Sequence, residues 1–184
     1  RAALHWTFAK ARYTDMAWLL IAPGLLWYLA GQRYEEATWS RLLMPHRQEL
    51  AVDLRLAFMI GFIDSAVDTD ESPALDPYIA EMHALMAICP GKHLHAVAWN
   101  YLSWYTTDVE QTAAALDQAV ACARLAADAA PLGSEFGGRA DHDYALGVNL
   151  CTYANFLMNQ GQTAEATTLV TEGLQLFRRR GNQP

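Results

Sequence analysis

The chain has 184 residues, 53% of them hydrophobic and only 18% charged, with a formal net charge of −7. That composition excludes intrinsic disorder and predicts apolar surface left over for a neighbour. The acidic balance argues against direct nucleic-acid binding, which needs clustered Lys and Arg.

The length predicts a single domain over residues 1–184, and an opening Arg1 without Met predicts a piece of a larger multidomain protein. Apolar residues recur with helical periodicity nearly everywhere, and no β-alternation of useful length occurs. In chain order the predicted helices are 2–12, 14–30, 34–45, 49–67, 77–89, 93–107, 109–129, 142–160 and 163–180. Within the second, Met16 to Ala30 is uncharged but shorter than the roughly 20 residues a membrane span needs, and Pro23-Gly24 interrupts it. It is also too far from the N-terminus for a signal peptide. The fourth helix carries two apolar stripes, Leu50, Leu54, Ala57, Gly61 and Leu56, Met59, Ile60, Ile63. A helix apolar on two faces is sandwiched between neighbours.

The breaks are explicit. Asp76-Pro77 predicts an N-cap followed by Pro at the first helical position, and Pro90-Gly91 stops the helix before it. Asp108 with Gln111 resembles a capping box. Residues 131–141, PLGSEFGGRAD, predict the one long loop. Further stripes are Val109, Ala113, Leu116, Val120, Ala123, then Leu146, Leu150, Tyr153, Leu157, then Ala166, Leu169, Val170, Gly173, Leu174, Phe177. Gly181 ends the last helix, and Arg178, Arg179 and Arg180 suit the dipole at its C-terminus. Short turns between helices imply antiparallel neighbours.

Several clusters hold residue types that can carry chemistry. Cys89, His93 and His95 are metal-ligand types, but no fourth ligand is defined, so no metal site is predicted. Asp141-His142-Asp143 reads as a helix N-terminus rather than an acid–base pair. The Gly-rich run lacks the Lys and Ser/Thr of a phosphate loop, and no nucleophile elbow is present. No catalytic residue and no cofactor are predicted. Three widely spaced cysteines, Cys89, Cys122 and Cys151, give no disulfide framework and fit a reducing cytoplasm. Among Trp99, Tyr101, Trp104 and Tyr105, Trp104 falls on the face opposite the core spacing.

The last helix pair carries a repeat signature. Ala154, Gly161 and Ala166 hold the spacing of a small residue in helix A, a turn glycine and a small residue in helix B, with Leu150, Tyr153, Leu157 and Leu174 at the large positions. This resembles a tetratricopeptide repeat, and implies an all-α, right-handed α-solenoid of antiparallel helix pairs. Gly24, Tyr34 and Ala37 mark a weaker first repeat, and Trp99, Leu102 and Ser103 open another. At the N-terminus, Arg1, Ala2, Ala3, Leu4 and Trp6, then Trp27, Tyr28, Gly31, Tyr34, Glu35 and Trp39, resemble the helical region of AfsR-like, SARP-type and MalT/LuxR-type ATPase transcriptional regulators. One extra residue between Gly31 and Tyr34 departs from that pattern. The resemblance implies a non-catalytic signal-reception domain, with a nucleotide-binding domain upstream in the same chain. The alternative is a stand-alone scaffold for protein–protein interaction. Registering helix A of each repeat on Gly61, Ser103 and Ala154 turns Arg55, Phe58, Phe62, Asn100, Trp104, Asn155 and Met158 inward. These seven are the expected contacts for a protein, a peptide or a small inducer.

Overall fold

The computed structural model describes residues 1–22, 27, 29–67, 75–129 and 139–179, without the side chains of 67 and 139–141. Pro23-Gly24, Tyr28, most of the segment before Asp76, the run 130–138, Arg180 and Gly181 lie outside the described residues. The elements are α1 (Ala2–Ala9), α2 (Tyr13–Ile21), α3 (Arg33–Leu43), a 3₁₀ turn (Met44–Glu49), α4 (Val52–Val67), α5 (Asp76–Ile88), α6 (Lys92–Tyr105), α7 (Val109–Ala129), α8 (Arg139–Asn159) and α9 (Thr163–Arg179). The protein is all-helical, and no strand occurs among the described residues. No helix among them is long and apolar enough to cross a membrane. The chain divides into two compact units, Arg1–Pro90 and Gly91–Pro184.

Three chain reversals share one geometry. Ala11, Gly31 and Gly161 all have positive φ, at 53°, 65° and 78°. In each case the next residue's N–H reaches back five residues, Arg12 to the Thr7 carbonyl, Gln32 to Trp27 and Gln162 to Leu157, each at 2.9 Å. This is the left-handed helix stop that satisfies the last carbonyls of a helix. Glycine occupies it without steric cost at 31 and 161, whereas Ala11 carries a Cβ there.

In the first unit, α1 and α3 run parallel. Arg1 Nε donates to both carboxylate oxygens of Glu35 at 2.8 Å, and four residues on His5 meets Trp39 edge-to-face at 4.6 Å. Both contacts span 34 residues. The core beneath holds Met16, Leu43, Leu56, Phe58, Met59, Ile63 and Met82, all fully buried. Both predicted stripes of α4 face inward, though Ala57 and Gly61 are only half-buried. Between α3 and α4, where helices ending at 45 and beginning at 49 were expected, the chain makes the 3₁₀ turn with Pro45 in its first positions. Helix α5 starts one residue earlier than predicted, and Asp76 is its first residue rather than its cap.

In the second unit, Leu116, Val120, Ala123, Leu146, Leu150, Tyr153, Ala154, Leu157, Ala166 and Leu176 form one core. The Asp108 carboxylate caps α7 by accepting from the Gln111 N–H at 2.8 Å. Helices α8 and α9 approach closely at their glycines. A Cβ on Gly173 would stand 3.3 Å from Cys151 Sγ and from the Gly147 carbonyl, and one on Gly147 would collide with the Phe177 ring. This contact line corrects the predicted stripe of α9: Leu174 turns outward and Leu176 is buried instead. Val109, expected in the core, is likewise exposed.

Ala154 and Ala166 are buried to 0% and 1% exposure in this core. Replacing either with Leu is expected to destabilise the chain by about 1–3 kcal/mol through overpacking. Urea titration reads this directly, and unchanged midpoints in both variants would show that the helices do not meet there.

Candidate functional site

Helices α6 and α8 belong to the second unit and meet along a polar seam. The Asn100 amide Nδ2 donates to Asn149 Oδ1 at 2.9 Å, and the Asn149 amide donates to the Ala145 carbonyl at 2.7 Å. Seven residues earlier on both helices, the His93 and His142 rings meet edge-on at 5.6 Å. Two contacts with one offset of 49 residues make α6 and α8 parallel and fix their rotation. Asn100, Asn149 and His142 are buried. A buried amide without a partner costs free energy, so the Asn pair ties the two helices to one register.

That seam defines a face. At about 100° per residue, Val97, Tyr101 and Trp104 fall on one flank of α6. Tyr144, Val148, Thr152 and Asn155 fall on the flank of α8 that looks the same way. Helices α7 and α9 pack on the opposite side, through Leu146, Leu150, Tyr153, Ala154 and Leu157. Tyr153 shows that packing chemically: burial, with the Asp117 carboxylate nearby accepting its hydroxyl, pushes its pKa up to about 12. On this flank Trp104 is 58% exposed and Val148 38%, while Tyr144, 45% exposed, also packs its ring on Phe177 of α9 at 5.6 Å. The Tyr101 and Trp104 rings lie 5.0 Å apart. No Asp, Glu, Lys or Arg occurs in α6 from His93 to Tyr105, nor in α8 from Tyr144 to Asn159. The face therefore offers aromatic and aliphatic area with one amide and no charge, a composition suited to an uncharged surface or ligand.

The seven predicted contact residues divide. Trp104 and Asn155 lie exposed on this face, and Met158, also exposed, lies at its margin on α8. Asn100 is corrected from groove lining to the buried seam. Phe58 and Phe62 are corrected to core of the first unit, at 1% and 3% exposure, with Phe62 edge-on to Tyr78 at 5.0 Å. Arg55 is engaged by Glu81 and Gln48. A helix apolar on two sides gives no sign in its sequence of which side a groove would use.

The other clusters take structural positions. The Cys89 thiol donates to Asp53 Oδ1 at 3.1 Å, and burial pushes the thiols of Cys122 and Cys151 up. Helix α8 starts three residues earlier than predicted, so His142 lies in its first turn and packs on His93 instead of capping. Among the described residues no three His, Cys, Asp or Glu groups are placed to hold a metal ion. Trp99 packs against the core of the second unit, as its spacing predicted. No family model matches the chain, and no curated protein or solved structure matches it.

Proposed function

We propose that this chain is a non-catalytic, tetratricopeptide-like regulatory module that recognises an inducer, a peptide or a neighbouring domain through the uncharged flank of α6 and α8. The observation that carries the proposal is that flank itself: large exposed side chains on two parallel helices, in segments, His93 to Tyr105 and Tyr144 to Asn159, that hold no charged residue. Surface without charge and rich in aromatics is the composition of recognition cores, not of ordinary solvated surface.

The repeat reading draws support from three features. Parallel helices recur at 34 residues in the first unit, the period of a tetratricopeptide repeat. Left-handed stops of one form end α1 and α8, and the same geometry recurs at Gly31 before α3. Small residues Gly147, Ala154, Ala166 and Gly173 lie on the helices α8 and α9, which approach closely at Gly147 and Gly173. Arg1, Glu35 and Trp39, which carry the resemblance to the regulators, meet between α1 and α3. On this reading the module sits in the cytoplasm, downstream of a nucleotide-binding domain in the same chain.

The test is Trp104→Ala combined with Asn155→Ala in the full-length chain, read as inducer-dependent transcription. The expected result is loss of response with helical content retained. A folded double variant with unchanged response would place recognition elsewhere, and substrate turnover by the purified chain in a broad hydrolase screen would sink the non-catalytic reading.

A further inference from the structure

We draw no further inference here: the strongest candidate, the side-chain cluster in which Arg47 of the 3₁₀ turn and Arg55 of α4 close on Glu81 of α5, carries none, because both guanidiniums are already engaged by that one carboxylate and nothing in the structure distinguishes an anion site there from a clamp that holds the first unit together.

Discussion

Phe58→Ala is expected to lower the stability of the chain by about 3–5 kcal/mol, the cost of deleting a fully buried phenylalanine side chain. Its ring is 1% exposed, inside a core of Leu54, Met59, Phe62 and Met82. Phe58 and Phe62 lie tilted on one another at 6.4 Å, and Phe62 in turn meets Tyr78 of α5. The substitution therefore removes transfer free energy and also opens a cavity where α4 faces its neighbours. A loss of that size is a large part of the 5–15 kcal/mol that holds an ordinary domain folded. Phe58→Leu keeps most of the volume and is expected to cost less than about 1.5 kcal/mol if the core repacks. The ratio between the two substitutions separates a core role from a binding role, since a groove residue would lose affinity in both and stability in neither. Guanidinium titration monitored by circular dichroism gives both numbers. An unchanged midpoint for Phe58→Ala would return Phe58 to the surface.

The same residue shows what a sequence discloses and what it withholds. Helix positions were legible because apolar residues at 3.6-residue spacing and punctuation by Pro, Gly and Asp are local signals. Half of the capping box expected from Asp108 and Gln111 is present: the Asp108 carboxylate accepts from the Gln111 N–H, while the Asp108 N–H goes to Thr106 Oγ1 instead of the Gln111 side chain. Which face of a doubly apolar helix looks outward is not local. In α4 the register assumed for helix A pointed Phe58 and Phe62 into a groove, while their neighbours bury them. In α6 the same register left Trp104 exposed but pointed Asn100, which is buried, the same way. The Asn100–Asn149 seam left half a signal: an amide at a core position demands a partner, but nothing in sequence says that the partner lies 49 residues away. The division at Pro90 was visible only as a helix stop. Long-range ion pairs left no local signal, among them one in the first unit that joins three elements.

Glu81 on α5 is gripped by two arginines from different elements. Arg47, in the 3₁₀ turn, donates Nε to its oxygens at 2.9 and 3.1 Å, and sends NH1 to the Met44 carbonyl at 2.9 Å. Arg55, on α4, donates Nε at 2.8 Å, with NH2 on the same carboxylate and NH1 on Gln48. One carboxylate thus joins the turn, α4 and α5. Removing it in Glu81→Ala leaves two half-buried guanidiniums facing one another, with like charges close and their donors unanswered. Breaking a fully buried pair costs about 3–5 kcal/mol. Side-chain exposures of 23%, 16% and 15% for Arg47, Arg55 and Glu81 let solvent screen part of that, so about 2–3 kcal/mol is expected. The pH dependence has a definite sign. Burial pushes the Glu81 carboxyl up, but the hydrogen bonds and charges of Arg47 and Arg55 outweigh it and hold it below its ordinary value of 4.5. A carboxylate with a depressed folded-state pKa stabilises the fold fully above the unfolded value, and that contribution is lost as pH falls through the folded one. Between pH 7 and about 5 the difference between the parent and Glu81→Gln should therefore be flat, and below about 4.5 it should shrink as Glu81 takes up its proton. Glu81→Gln keeps the shape and loses the charge, so it isolates the ionic part from the packing. Urea midpoints measured at a series of pH values give the curve. A difference that grew toward acid, or that was absent at pH 7, would mean that the two arginines do not depend on this carboxylate.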